Sequence, residues 1–305
     1  MTIRNYALGI DIGGTNTKVG IIDRQGCLKD YLSIPTKTDI SAKEFIEIIY
    51  QTILEKKWDL TQVDGLGVGA PMANFFTGQI EEAPNLNWKN VPLKKLLEER
   101  FQMSSWIEND ANLSAIGEMK WGEGSLHQNF ILITLGTGVG TGIIINRDLY
   151  RGNEGLGGEG GHILIPHQKN RSCSCGGFRH LESFLSAKGI KQTIKEDLNE
   201  DWTIEELGRR FSEQDPKAIK IYEQISLELA HGLDSMGVLL APEAFIIGGG
   251  VSKLGAPFFS LVEKKLNQLL HYSLKNKIKI KQAKLSTDKG AIFGGAALVF
   301  NQKGI

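Results

Sequence analysis

Residues 6–22 read YALGIDIGGTNTKVGII, and the reading of this stretch decides the fold. Tyr6–Ile12 is a short run of strand formers that breaks at Gly13-Gly14, and residues 17–22 resume an apolar strand. The two form a hairpin with DIGGTNTK, residues 11–18, at its turn. Gly13 and Gly14 allow a positive φ and bare backbone N–H groups, so the turn is either a tight soluble tip or a phosphate cradle. In the second case Asp11 holds a magnesium ion through water and Lys18 faces a phosphate. The same device returns further on. Apolar runs at 130–135 and 140–145 flank the turn Gly136-Thr137-Gly138-Val139. A duplicated strand–glycine turn–strand predicts two related sheets that face each other across a cleft.

Working outward, Ser41 with Glu44 makes a capping box, and the helix behind it carries Phe45, Ile48, Ile49, Thr52 and Ile53 on one face. Residues 63–68 form a strand leading into GAPMANFFTG, and 82–88 is a polar, turn-rich segment expected to stay outside the core. Leu93, Leu96, Leu97 and Phe101 mark an amphipathic helix. Residues 104–108 form a strand that runs straight into Asn109-Asp110 and a helix over 111–119. At that junction Asp110 is either an N-cap or a general base at the carboxyl end of a strand, where open α/β sheets place their ligands. Residues 183–196 read as helix. Tyr222, Ile225, Leu229, Leu233, Met236 and Leu240 define a long helix that Pro242 ends. Residues 244–247 form a buried strand that stops at Gly248-Gly249-Gly250, 277–281 a short strand, and 288–300 a closing helix.

Residues 158–182, GEGGHILIPHQKNRSCSCGGFRHLE, combine two chemistries. His162, Cys173, Cys175 and His180 are the right donors for a closed tetrahedral zinc site, and His167 is either a reserve ligand or a solvated loop histidine. Glu159 and Glu182 bracket them, and carboxylates so placed suit the hydroxyls of a polyol.

Bulk properties narrow the class. The 305 residues suit two domains of roughly 150 each. Lys+Arg and Asp+Glu balance at 35 each, so no general field draws the chain to nucleic acid or anionic membrane. The N-terminus lacks a signal-peptide core, and no run reaches the roughly 20 apolar residues of a membrane span. With three Cys, two of them in Cys-x-Cys, a cytoplasmic metal site is expected rather than a disulfide framework.

Six segments in order then carry a resemblance: DIGGTNTK at 11–18, ENDAN at 108–112, LGTGVG at 135–140, GGEGGH at 157–162, CSCGGFRHLE at 173–182 and IIGGG at 246–250. The chain resembles a sugar kinase of the ROK family, within the actin-like, hexokinase-like ATPase superfamily, and within it the bacterial glucokinase branch. The resemblance implies an α/β fold of two actin-like (ribonuclease H-like) domains, each with a mixed sheet: residues 1–122 with 289–305, and 123–288. It assigns Asp11, Gly13, Gly14, Thr15 and Lys18 to a first phosphate loop, and Gly136, Thr137, Gly138 and Gly140 to a second. Gly248, Gly249 and Gly250 match the segment over the adenosine side. Asp110 matches the catalytic base, with Asn109, Glu159, His162, Glu182 and, more weakly, Asn85 on the sugar. ATP, Mg²⁺ and a structural Zn²⁺ are implied, with a homodimer or homotetramer as the assembly. N-Acetylmannosamine, N-acetylglucosamine, allose and fructose kinases share the contact residues, so glucose is one hexose among several. Regulators of the family carry a helix-turn-helix segment ahead of the kinase-like part, for which a first strand at Tyr6 leaves no room. One departure stands out. The family run is Cys-x-Cys-Gly-x-x-Gly-Cys-x-Glu, whereas here Arg179 replaces the second Gly and His180 the third Cys. Imidazole is itself a zinc donor, but its nitrogen lies farther from Cα than a thiolate does. Arg179 also lacks glycine's freedom at positive φ.

Overall fold

The computed structural model describes residues 5–285 and 289–304. They divide into two compact units. The first holds the described residues up to Ser125, the segment Arg151–Gly157 and the described residues from Lys289. The second holds Leu126–Tyr150 and the described residues from Gly158 to 285. The sequence ranges put 151–157 with the second half, and its contacts place it in the first.

In the first unit, β1 (Tyr6–Ile12), β2 (Asn16–Asp23) and β3 (Leu28–Pro35) form an antiparallel meander. Helix α1 (Ala42–Glu55) follows, started by the capping box: Glu44 N donates to Ser41 Oγ at 3.2 Å and Ser41 N to Glu44 Oε2 at 2.9 Å. Its buried face is Ala42, Phe45, Ile46, Ile49 and Ile53, so Ile46 fills the place expected of Ile48, which faces solvent. β4 (Val63–Gly69) then adds parallel to β1. A three-stranded sheet of β5 (Ala73–Asn74), β6 (Gln79–Ala83) and β7 (Trp88–Val91) comes next. It corrects the expectation for 82–88: Ala83, Leu86 and Trp88 are buried in the core with Phe45. α2 (Leu93–Phe101) leads to β8 (Ser105–Glu108), parallel to β4, and α3 (Asp110–Trp121). The main sheet order is β3-β2-β1-β4-β8.

The second unit repeats that order. β9 (Phe130–Leu135), β10 (Val139–Ile145) and β11 (Asp148–Tyr150) form the meander. The 183–196 helix of the sequence reading is two helices, α4 (Leu181–Leu185) and α5 (Ala187–Leu198), parted at Ser186, whose side chain caps α5 by accepting from Gly189 N. α6 (Ile204–Ser212) and α7 (Pro216–Leu240) follow. α7 buries Ile221, Tyr222, Ile225, Leu229, Leu233 and Met236, while Leu240 at its end is exposed. β12 (Ala244–Gly248) pairs parallel with β9, α8 (Ala256–Leu269) packs on α7, and β13 (Lys279–Gln282) closes the sheet β11-β10-β9-β12-β13. Each fully buried Leu, Ile or Phe in these cores contributes about 1.5–3 kcal/mol.

The chain returns to the first unit for α9 (Gly290–Gln302). Asp288, where the sequence reading starts this helix, lies outside the described residues, as do residues 1–4 and 305 of the expected domain ranges. Backbone meets backbone where α9 is seated. A Cβ on Gly67 of β4 would stand 1.9 Å from the Gly295 carbonyl oxygen, and one on Gly294 would stand 1.7 Å from that of Leu113 in α3. Glycine in these strands and this helix is required for helix and sheet to touch. Among the described residues no helix is long and apolar enough to cross a membrane.

Candidate active site and metal centre

In the first unit, parallel β1, β4 and β8 bring Asp11, Gly69 and Glu108 into one register at their carboxyl ends. Asp11 also pairs with Lys18 on β2. One residue past β8, Asn109 takes the N-cap of α3, its Oδ1 accepting from Ala111 N at 2.9 Å and Asn112 N at 3.4 Å. Capping therefore falls to Asn109, not Asp110. Asp110 is the first helical residue, its Oδ1 accepting from Ala111 N at 2.9 Å, and it keeps a face open to solvent. Loss of water on the protein side pushes its carboxyl above the ordinary range, more than the helix amides pull it down. Asp11 is raised to about 7, first by desolvation and then by the Asp110 charge, with Lys18 opposing. Two carboxylates close enough to repel thus sit at the end of this sheet.

The first glycine turn lies beside them. Gly13 N donates to Asn16 O at 3.1 Å, and Thr36 Oγ1 donates to Gly13 O at 2.6 Å. Neither Gly13 nor Gly14 adopts a positive φ, contrary to the sequence argument. Gly14 is tight for another reason: a Cβ there would come within 3.2 Å of the Asn85 Cβ. Asn85 is thereby placed against the turn, and Thr15 stands exposed at its tip.

In the second unit, the Gly136–Gly140 turn closes through Gly136 N to Gly138 O at 2.9 Å. Glu182 on α4 braces it, with Oε2 accepting from Val139 N at 3.0 Å and Oε1 from Ser174 Oγ at 2.6 Å. Gly248 ends β12 opposite Thr134, and Gly249, at φ 83°, sits where a Cβ would strike the Leu135 carbonyl at 2.3 Å. The second and third glycine clusters are therefore neighbours. A Cβ at Gly136 or Gly250 would meet nothing within 4 Å, so backbone lies open there for a ligand. Thr137 is exposed on the same turn.

The Cys-x-Cys segment folds as a small hairpin. Arg179 N donates to Arg171 O, and Cys173 N to Gly177 O, both at 2.8 Å, with Gly176 at φ 88°. Buried Arg171 anchors it to α5 through Gly189 O, Thr193 and Glu196. The ligand atoms of His162, Cys173, Cys175 and His180 all lie within 4.8 Å of one another. Cys173 Sγ is 3.5 Å from His162 Nδ1, and Cys175 Sγ is 3.2 Å from His180 Nδ1. A tetrahedral zinc ion with bonds near 2.3 Å to sulfur and 2.0 Å to nitrogen sets such pairs about 3.5 Å apart, so the donors fit. His162 Nε2 faces Glu159 Oε2 at 3.7 Å, as a carboxylate outside a histidine ligand does. His167 is engaged elsewhere: its Nδ1 accepts from Lys169 N, and its Nε2 lies 3.2 Å from Glu228. Arg179 occupies the left-handed region at φ 56°.

Sequence reasoning missed Arg151. Its Nε donates to Glu108 Oε2 at 2.7 Å, next to Asn109-Asp110, and no periodicity or motif signals a pair 43 residues apart.

The ROK family model matches residues 7–303. A glucokinase of Halalkalibacterium halodurans is 32% identical over 311 residues, covering 95% of this chain and 94% of that protein. The solved structure of a ROK family glucokinase from Streptomyces griseus, in complex with glucose and AMPPNP, superposes with a TM-score of 0.82 at 28% identity, covering 96% of this chain and 98% of that one. A xylose repressor of Caldicellulosiruptor bescii is 32% identical over 251 residues, covering 78% of this chain and 62% of the repressor.

Proposed function

From the premise that the chain belongs to the ROK family, we propose that it is an ATP-dependent sugar kinase that phosphorylates a hexose hydroxyl, with glucose as the hexose. The observation that carries this reading is Asp110: it stands at the start of α3, past the carboxyl end of β8, with the capping role taken by Asn109. A carboxylate so placed accepts the proton of the attacking hydroxyl. Phosphoryl transfer asks for little more than that, positioning and charge neutralisation. The turns Asp11–Lys18 and Gly136–Gly140 hold the phosphates through backbone N–H groups, and Gly248, Gly249 and Gly250 lie over the adenosine side. Asp11 is the residue placed to hold Mg²⁺ through water, and the ion supplies neutralisation of the phosphate charge when bound. Asn85, Asn109, Glu159, His162 and Glu182 take the sugar hydroxyls.

His162, Cys173, Cys175 and His180 hold a structural zinc ion that pins the hairpin next to Glu159 and Glu182. The test of function is ADP release over a panel of glucose, mannose, fructose, allose, N-acetylmannosamine and N-acetylglucosamine. Glucose is expected to give the highest kcat/KM. Sugar binding without ADP release on any of them would instead favour a sugar-sensing protein, a reading that the similarity to a xylose repressor supports.

A further inference from the structure

The Asp110 carboxylate accepts from the next amide in the chain, Ala111 N, so the backbone of residues 108–112 fixes where it points. That backbone hangs from one buried carboxylate. Glu108 is 2% exposed. Its Oε1 accepts from Asn109 N at 3.0 Å and from Asn112 Nδ2 at 3.0 Å, on either side of Asp110 in the chain. Its Oε2 accepts from Arg151 Nε at 2.7 Å. A buried carboxylate in this position keeps its geometry only while its charge is matched, because swinging away would strand an ion in a poor dielectric. The guanidinium is itself held, stacked 4.0 Å from the centre of the Phe75 ring. The segment that Arg151 begins is closed on itself by Gly157 N to Arg151 O at 2.7 Å and tied to the same unit by buried Asn74 Nδ2 to Glu154 O at 2.7 Å. Phe75, Arg151, Glu108 and Asn109 therefore form a continuous chain of contacts ending at the residue before Asp110.

We propose that Arg151 is a positioning residue for phosphoryl transfer: by holding the buried Glu108 carboxylate it sets the start of α3 and so the aim of the Asp110 carboxylate. The proposal rests on Asp110 being the general base. Arg151 touches neither the sugar nor the nucleotide in this role, so its loss acts on turnover rather than on binding. Displacement of a reacting group by about 1 Å costs on the order of a hundredfold in rate.

The test compares Arg151→Met, Arg151→Lys, the double variant Glu108→Gln with Arg151→Met, and Asp110→Asn in full-length protein, by steady-state ADP release with both substrates varied. Arg151→Met is expected to lower kcat about tenfold to a hundredfold with KM for hexose and ATP within about threefold. Arg151→Lys, which keeps the charge and one donor, is expected to recover most of the loss. The double variant removes both charges and leaves no buried ion unmatched, so it reports on positioning even where Arg151→Met folds poorly. Its kcat is expected to fall about as far as that of the single variant. Parent-like kcat in the double variant, or KM values that rise as kcat falls, overturns the positioning role. With Asp110→Asn inactive, that result leaves the kinase reading standing. Near-normal turnover in Asp110→Asn overturns the base assignment itself, and the positioning role with it.

Discussion

The two five-stranded sheets run in the same order, three antiparallel strands followed by two parallel ones, yet their carboxyl ends are furnished differently. The first ends in Asp11, Glu108, Asn109 and Asp110, with Asp11 and Asp110 both raised by burial and Asp11 raised further by the Asp110 charge. The second ends in glycine, at Gly136 and at Gly248–Gly250, and its nearby carboxylate, Glu182, arrives from α4 to accept an amide of the turn. A repeated topology thus supplies two equivalent ledges, and the side chains at the strand ends decide what each can do. The acidic ledge suits proton transfer and cation binding; the neutral, backbone-rich ledge suits phosphate and adenosine.

The largest test of this contrast is Asp110→Asn. It is expected to lower kcat by about 10²–10⁴ with sugar binding kept, measured by ADP release and by calorimetric titration of the hexose. Turnover within a few fold of the parent would leave the acidic ledge without its assigned chemistry. Next comes the contrast between glycines. Gly67→Ala forces a Cβ against the Gly295 carbonyl and is expected to cost about 3 kcal/mol in urea unfolding, whereas Gly136→Ala, with open space around it, stays near neutral for folding. Equal costs at the two sites would erase the distinction between a packing glycine and a ligand-facing one. Glu182→Ala removes both the brace on the second turn and a proposed sugar contact, and is expected to raise KM for ATP about tenfold, the equivalent of one charge-assisted hydrogen bond, with KM for the hexose rising as well. An unchanged KM for ATP would detach Glu182 from the nucleotide side.

Stability should also depend on pH in a defined direction. Burial raises Glu228 in the second unit to about 7, against 4.5 when unfolded. Between those values the folded state holds a proton that the unfolded chain releases, so stability falls as pH rises through the window. Asp11 in the first unit acts with the same sign in ligand-free protein. Half-buried His167 and His231 are lowered by desolvation and act with the opposite sign, so the readout is the difference between variants. From about pH 4.5 to 8 the melting temperature of Glu228→Gln is expected to lose less with rising pH than that of the parent. A parallel slope in that variant would mean the proton is held elsewhere. The smallest effect expected is at Arg179, whose φ of 56° strains a residue with a Cβ. Arg179→Gly is expected to stabilise the hairpin by about 1 kcal/mol, read as a rise in melting temperature of the zinc-loaded protein.

Much of this architecture was legible in the sequence because it depends on short-range patterns. Tyr6–Ile12 and Phe130–Leu135 are strands at the boundaries their apolar runs predict, and the Ser41–Glu44 box starts α1 where its spacing says. The small sheet β5-β6-β7 was not legible. Pro84 and Asn85 interrupt its pattern, and Asn87 turns left-handed before Trp88 buries. α4 and α5 read as one helix because their apolar spacing continues through Ser186, whose side chain breaks the run by capping. The glycine turns were located correctly but for the wrong reason. They need room, against Asn85 or for a ligand, and not a positive φ.

By itself the sequence determined most strands of the two main sheets, the duplicated turns, the donors gathered between residues 162 and 180, and the ROK resemblance. All of these are written in local spacing and residue chemistry. Only the tertiary structure decided that Asn109 rather than Asp110 caps α3, that Glu182 bonds the second turn, and that Arg151 holds Glu108. Those outcomes depend on which polar groups burial brings within hydrogen-bonding distance, a property of the packed chain that no single stretch of it records.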